Sequence, residues 1–232
     1  MNITDCAFMS PEFSFPKREL VKDQTMGAFI FIILDVKITI VNTKFSNGLA
    51  KYGGAIYISG QSDITMINCQ LIQNMADIFG GAIFANGFRS IRIIGGSKLY
   101  DNYANLKGDD FYLSNTEETM ELDDVTITSS LAKNSLYAEQ VSILMRRVKY
   151  QNAMYNPDAI KGAAVLCFGC RRLSIDNSIF KNLKSEQGSA VHLTDIPTNK
   201  KDSDRPGKYK ITNTLFENTQ GNVGGTLYLD HP

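Results

Sequence analysis

Two neighbouring carboxylates, Asp109 and Asp110, are the residues whose types and spacing come closest to a catalytic set. A pair of carboxylates can act as general acid and general base in glycoside hydrolysis, and their separation sets the stereochemical outcome. Asp123 and Asp124 follow along the chain, and the four side chains together would form an acidic patch of the kind that binds calcium. A polysaccharide-cleaving site is therefore one hypothesis for this chain.

Cysteine and histidine offer little further chemistry. Cys167 and Cys170 form a single Cys-x-x-Cys pair without a second pair, which disfavours zinc and indicates a buried thiol beside a turn thiol, or a local disulfide if the protein is exported. The two histidines, His192 and His231, lack sequence partners that would make either of them a base. We predict no metal site and no cofactor.

The charge balance and the apolar segments limit the partners. The 232 residues carry 24 Lys+Arg and 24 Asp+Glu, so no nucleic-acid partner is expected.

Met1 to Ser10 lack the basic and apolar regions of a secretory signal, which predicts a protein that stays inside the cell or a piece of a longer chain. Met26 to Val41 is too short for a membrane span and contains Asp35 and Lys37, so we predict none.

The elements that position these residues follow from an internal repeat. Asn42 lies in an Ile-Thr-Ile-Val-Asn segment that precedes Gly53-Gly-Ala-Ile, and the pattern returns around Asn68 and Gly80-Gly-Ala-Ile, an offset of 68 − 42 = 26 residues. Each copy alternates with period two and is rich in Ile, Val, Thr, Phe and Tyr, which is typical of strands. Further clear copies run from Ile91 to Leu113, Leu173 to Leu193 and Tyr209 to Leu229, and weaker copies begin at Asn2, Met120 and Val141.

Strands that repeat at this spacing without helices between them can bury their apolar faces only by stacking copy on copy. The sequence therefore predicts an all-β fold, a single-stranded parallel β-helix (solenoid) of about eight coils that forms one domain over residues 1–232. Ser135 to Tyr150 is interpreted as a degenerate coil, with a helical stripe as the alternative. Cys6 and Cys69 lie two coils apart, too far for a disulfide. Stacking predicts one column of asparagines made of Asn47, Asn74, Asn102, Asn152, Asn182 and Asn218.

The Gly-Gly-Ala-Ile segments at 53–56 and 80–83, each preceded by Phe-x-Asn or Leu-x-x-Asn, resemble the repeats of the polymorphic outer-membrane autotransporter adhesins. More generally, the chain resembles pectin-lyase-like right-handed β-helix proteins. The resemblance implies a right-handed coil and an extracellular or cell-surface location. Asp109 and Asp110 look like the acidic motif of β-helix polygalacturonases, but the companion motifs Asn-Thr-Asp, Gly-His-Gly and Arg-Ile-Lys are missing.

The strand that follows each glycine pair carries the sharpest functional signal. If Ile56 and Ile58 and their equivalents point inward, the outward row becomes apolar and mostly aromatic, which usually marks an interaction site. Two alternatives remain open: a loop such as Ser10 to Gln24 covers the row, or the strand is buried on both faces. The row consists of Ile30, Tyr57, Phe84, Tyr112, Leu166, His192 and Tyr228, of which we assign Tyr57, Phe84, Tyr112, His192 and Tyr228 as candidate binding residues.

These patterns favour a non-enzymatic structural or interaction module of a larger surface or scaffold protein, which binds protein or glycan through the outward row. The alternative is a polysaccharide lyase or glycoside hydrolase that uses Asp109 and Asp110 in a β-helix groove. Two insertions, residues 10–24 and 194–208, are expected to leave the coil as loops. Neither end of the repeat array carries an obvious polar cap, which predicts further coils of a parent chain or a protein partner.

Overall fold

The computed structural model describes residues 1–10, 25–115, 118–129, 134–151, 164–194 and 208–230. These residues form an all-β structure, and they contain no helix. Accordingly, no helix long and apolar enough to cross a membrane is found in the described part of the chain. The inserted residues 11–24 and 195–207, Asn152 and His231 lie outside the described residues.

Apolar and polar residues alternate along the strands, so that every second side chain points into the core. In the strand Asp63–Ile67, Ile64 and Met66 are buried, whereas Thr65 between them is partly exposed. The strands are β1 Asn2–Thr4, β2 Ala7–Met9, β3 Ile30–Ile32, β4 Lys37–Val41, β5 Lys44–Ser46, β6 Leu49–Tyr52, β7 Ile56–Ser59, β8 Asp63–Ile67, β9 Gln70–Ile72, β10 Met75–Phe79, β11 Ile83–Asn86, β12 Ser90–Tyr100, β13 Tyr103–Ala104, β14 Phe111–Ser114, β15 Thr119–Thr128, β16 Leu136–Glu139, β17 Ser142–Arg146, β18 Lys149–Gln151, β19 Val165–Phe168, β20 Arg172–Asp176, β21 Ile179–Gln187, β22 Val191–Thr194, β23 Lys208–Thr212, β24 Leu215–Val223 and β25 Leu227–Asp230.

Each strand pairs in parallel with its equivalent in the next copy of the repeat. Thr39 of β4 lies opposite Thr65 of β8, and Ile56 of β7 lies opposite Ile83 of β11. We call the strands that one copy contributes a rung. The first sheet runs β1-β4-β8-β12-β15-β17-β20-β23 and continues through the second strands of the rungs, the second sheet is β6-β10-β13, and the third runs β3-β7-β11-β14-β16-β19-β22-β25. This arrangement of long, open, parallel sheets is compatible with a β-helix.

One hydrophobic core lies between the sheets. Ile40 and Phe45 of the first sheet and Ile56 and Ile58 of the third are at most 1% exposed and belong to a single buried cluster. Equivalent side chains stack from rung to rung, as Phe45 does on Phe8 with ring centroids 5.1 Å apart. The inward positions predicted from the alternation are therefore confirmed for these strands.

Asparagine side chains stack at the turns, but the predicted column is partly wrong. The Nδ2 of Asn218 donates to Asn182 Oδ1 at 3.0 Å, as predicted. Asn47, however, is not in register with Asn74, because the backbone N–H of Gly48 donates to Asn74 Oδ1 at 3.0 Å. Asn74 and Asn102 therefore lie one residue further along the rung, where they are buried in the core.

The structure resolves two alternatives left by the sequence. Residues 135–150 form β16, β17 and β18 rather than a helix, so the strand interpretation of this segment is confirmed. Cys167 and Cys170 are joined in a disulfide with their Cα atoms 5.6 Å apart, whereas Cys6 and Cys69 are free. Burial raises the pKa of the Cys69 thiol.

Candidate functional site

Five aromatic side chains from neighbouring strands of the third sheet lie in one row. The register places Tyr57 opposite Phe84, Phe84 opposite Tyr112 and Tyr112 opposite Tyr137. Phe31, not Ile30, lies opposite Tyr57, which corrects the predicted row at its first member. We call this row of five residues the aromatic ladder.

The rings of the ladder stack face to face. Their centroids are 5.1 Å apart for Tyr57–Phe84 and 5.2 Å for Phe84–Tyr112, and the two interplanar angles are 6° and 2°. Tyr112 stacks on Tyr137 at 5.1 Å and 10°. Because the inner rings are covered on both faces, this part of the ladder presents ring edges to its surroundings rather than faces. Phe84 is accordingly only 8% exposed, whereas Phe31 at the end of the ladder is 51% exposed.

The predicted row does not continue as an aromatic surface beyond Tyr137. Leu166 follows in register and separates the ladder from His192 and Tyr228. His192 is fully buried, with its Nε2 2.7 Å from Thr194 Oγ1, so at this position the alternative of a covered row holds. The His192 and Tyr228 rings contact each other at 4.6 Å. The structure thus brings Tyr57, Phe84 and Tyr112 together and leaves the other two candidates at a separate place.

A glycine corner brings a second set of rings against the ladder. Gly53 has a φ of +64°, and a Cβ there would lie 2.1 Å from the Ile56 carbonyl oxygen. The chain turns sharply at this corner, so the residue before it, Tyr52, packs against Phe84 at 5.4 Å. In the next rung Phe79 stacks on Tyr112 at 4.5 Å.

These rings border a groove of about 260 Å³. Tyr52, Phe79 and three members of the ladder line it, and Asn86 and Ser114 add polar groups. Aromatic rings beside a few convergent polar groups are a common lining of a binding site. We call it the aromatic groove, and its lining residues are Met26, Tyr52, Tyr57, Phe79, Phe84, Asn86, Tyr112, Ser114 and Asn115.

A charged cluster lies at the Tyr137 end of the ladder. Lys107 Nζ donates to the Tyr137 hydroxyl at 2.8 Å and lies 4.3 Å from the Tyr137 ring centroid. The same hydroxyl donates to Glu139 Oε1 at 2.5 Å. Burial, followed by the Glu139 carboxylate, raises the pKa of Tyr137 and also that of Tyr112. Both phenols therefore stay protonated at neutral pH and keep their hydrogen-bond donors.

Asp109 and Asp110 lie inside the molecule rather than in a surface groove. Each is 1% exposed. Asp109 Oδ1 accepts from the backbone N–H of Ala104 at 2.9 Å. Asp110 accepts from Asn102 Nδ2 at 2.8 Å and from Ser135 Oγ at 2.6 Å. Desolvation raises the pKa of Asp110 to about 6, against the opposing effect of these two hydrogen bonds. Asp110 reaches the next rung through Ser135, and neither carboxylate is accessible to a polymeric substrate.

The other acidic residues are matched by arginines on the outer face of the first sheet. Asp123 pairs with Arg147 at 2.6 Å, and Glu121 pairs with Arg92 at 2.7 Å and with Arg146. In the described part of the chain, no group of three or more His, Cys, Asp or Glu side chains could hold a metal ion. The predicted acidic patch therefore does not form there.

No protein-family model, no curated protein and no solved structure matches this chain. The fold and the site consequently rest on the residues and their geometry alone.

Besides Phe31, sequence reasoning missed three further aromatic residues at this site. Tyr137 lies in the degenerate fifth copy of the repeat, where no glycine pair marks the register. Tyr52 and Phe79 were overlooked although each directly precedes a Gly-Gly pair. Tyr52 and Phe79 could have been identified because an aromatic residue occupies the same position in two successive copies of the repeat.

Proposed function

We propose that this chain is a right-handed, single-stranded parallel β-helix of about eight coils that acts as a non-enzymatic interaction module of a surface or scaffold protein. Three observations support the coil: the parallel register, the offset of 26 residues between paired positions such as Thr39 and Thr65, and the shared core. The right hand follows the resemblance to pectin-lyase-like repeats and the general preference of parallel crossovers.

The aromatic groove is the binding surface in this proposal, and its partner is a protein segment. The observation that carries it is the stacking of the ladder, because sugars bind to open aromatic faces whereas these faces cover one another. An extended protein segment fits this lining. Its apolar side chains would contact the ring edges, and its backbone would form hydrogen bonds with the tyrosine hydroxyls and with the polar groups of Asn86 and Ser114.

Cross-linking of the protein in its source material, with mass spectrometry of the joined peptides, tests this function. We expect one reproducible foreign protein on peptides that carry Tyr52, Phe79 or Tyr112. The variant Phe79→Ser should reduce the yield of this adduct by about tenfold or more, as expected for a central interface aromatic. Tyr100→Ser, which removes an exposed ring on β12, is the matched control and should leave the yield unchanged. Adducts confined to this same chain would show that the groove is internal packing.

The enzymatic alternative has a separate test. A turnover assay on acidic polysaccharides should show no release of oligosaccharide, because Asp109 and Asp110 are buried and hydrogen-bonded inside the molecule. Release that disappears in Asp109→Asn would overturn the proposed function.

A further inference from the structure

A second row of side chains runs beside the aromatic ladder and changes from aromatic to basic. Tyr52 lies opposite Phe79 of the next rung, and Phe79 lies opposite Lys107 of the rung after that. We call these residues the side row. Tyr52 and Phe79 line the aromatic groove. A bound segment that follows the side row along the stack therefore meets two rings and then an ammonium group.

Lys107 makes the same contact with the ladder as the rings before it. Phe79 packs on the ladder ring of the following rung, Tyr112, with the ring centroids 4.5 Å apart. In the same way, Lys107 Nζ lies 4.3 Å from the centroid of the next ladder ring, Tyr137. Because a cation is attracted to an aromatic face, this contact holds Lys107 in line with the rings of the side row.

The charge of Lys107 is not neutralised by a direct ion pair. Among the described residues, its Nζ donates to one acceptor, the Tyr137 hydroxyl at 2.8 Å. The nearby Glu139 carboxylate accepts from the same hydroxyl at 2.5 Å and forms no ion pair with Lys107. Lys107 is only partly buried. Since an ammonium group has more than one N–H donor, Lys107 can still donate to a ligand.

We propose that the protein segment bound in the aromatic groove carries an acidic residue whose carboxylate pairs with Lys107. This inference rests on the proposed function and adds the charge of the partner to it. Rungs are about 4.8 Å apart and an extended chain advances about 3.3 Å per residue, so the path of about 9.6 Å from Tyr52 to Lys107 corresponds to about three residues. The acidic residue therefore lies about three positions from the apolar residue that contacts Tyr52.

The arrangement of the charges favours an acidic partner residue over a basic one. A basic side chain would have to pair with Glu139, which lies on β16 outside the side row and already accepts a hydrogen bond from Tyr137. A carboxylate at the end of the side row accepts a charge-assisted hydrogen bond from Lys107, and such bonds are roughly twice as strong as neutral ones.

Selection of a phage-displayed library of random peptides on the purified chain tests the proposed charge. We expect the selected peptides to share apolar residues with an Asp or Glu about three positions away. Selection on Lys107→Glu should exchange this acidic residue for Lys or Arg. Lys98→Glu is the matched control, because it makes the same charge change at an exposed site on β12 and should select the same acidic peptides as the unmodified chain.

The affinity of one selected peptide measures the contact itself. Replacement of its acidic residue by the corresponding amide should weaken binding to the unmodified chain by about tenfold. The same replacement should not change binding to Lys107→Met, which keeps an apolar side chain against the Tyr137 ring but lacks the charge. A role of Lys107 in packing alone would leave the acidic peptide and its amide equally affected by this variant.

The contrary outcomes separate this inference from the proposed function. If the selected peptides bind through the groove but show no charge preference, or carry Lys or Arg instead, the groove binds a segment and the pairing with Lys107 is wrong. If no peptide is selected, or if Phe79→Ser binds the selected peptides as well as the unmodified chain does, the groove is not their site and the proposed function fails as well.

Discussion

Buried polar side chains connect the rungs at the scale of single residues. Asn74 Nδ2 donates to the Phe45 carbonyl at 3.2 Å and to Asn102 Oδ1 at 3.0 Å, while its own Oδ1 accepts from Gly48. Asn102 in turn donates to Asp110. These side chains therefore link three rungs through a part of the core from which water is excluded, where an unmade hydrogen bond is costly.

Asn74→Ala should lower the free energy of unfolding by about 2–3 kcal/mol, because it leaves the Gly48 N–H and the Phe45 carbonyl without these partners in the core. Urea denaturation measures the loss. Asn68→Ala is the control and should cost only about 1 kcal/mol, since Asn68 is exposed at a positive φ and its bond to Asn42 competes with water. A loss equal to that of the control would contradict the proposed linkage.

The buried carboxyl group of Asp110 should make the stability of the protein depend on pH. Its pKa in the folded protein is raised to about 6, so the folded state holds the proton more tightly than the unfolded state does. Protonated Asp110 contributes on the order of 3 kcal/mol to the free energy of unfolding. This contribution is complete below a pH of about 4 and is lost as the pH rises through about 6. Asp110→Asn cannot ionise and removes this contribution.

Urea denaturation of both proteins between pH 4 and pH 7 measures the effect. The stability of Asp110→Asn relative to the unmodified protein should increase across this range. Asp124→Asn, at an exposed site, is the control and should follow the unmodified protein. Parallel pH profiles for Asp110→Asn and the unmodified chain would contradict the account.

Glycine corners determine how the elements meet. Gly53 adopts a positive φ, and the adjacent Gly54 approaches the next rung so closely that a Cβ would lie 2.1 Å from the Gly81 carbonyl oxygen. The corner turns the chain from β6 into β7 and so places Tyr52 beside Phe84. The walls of the aromatic groove therefore depend on a backbone feature rather than on the rings alone.

Gly53→Ala should destabilise the fold by about 3 kcal/mol or more, since it combines an unfavourable φ with a clash against the Ile56 carbonyl. Gly87→Ala is the matched control, because Gly87 has a similar φ of +73° but open space around its Cα. It should cost about 1 kcal/mol. Equal losses for the two variants in urea denaturation would show that contact at the corner is unimportant.

The pairing and register of the strands could be predicted from the sequence wherever the repeat is clear. The offset from Asn42 to Asn68 predicts that β4 pairs with β8 at a spacing of 26 residues, and the structure confirms this register. The two asparagines mark it because both occupy the same turn at positive φ. The first rung lacks a glycine pair of its own, so its register was misplaced by one residue and Ile30 was chosen instead of Phe31. Burial of Asp109 and Asp110 was not predictable, because it depends on Asn102 of the same rung and on Ser135 of the next rung.

At the scale of the whole molecule, the stack is nearly one-dimensional. Each rung contacts mainly the rung before it and the rung after it, so stability is close to a sum over neighbouring interfaces. The terminal rungs have one interface each and should open first. Exposed Leu229 at one end and Phe31 at the other are the visible consequence.

Hydrogen exchange should reveal this order. In dilute protein, amides of β25 should exchange faster than those of β11, which has a rung on each side. Fast exchange of β11 together with slow exchange of β25 would contradict the account.

Engineered disulfides test the central claim, the parallel in-register stack, most directly. Thr39→Cys with Thr65→Cys places two thiols on adjacent rungs at paired positions, where strands are about 4.8 Å apart and a disulfide fits. Thr39→Cys with Arg92→Cys spans two rungs, about 9.6 Å, and is the control. After oxidation, peptide mapping should find the first bond in nearly all molecules and the second in none. Absence of the first bond, or equal formation of both, would contradict the stack.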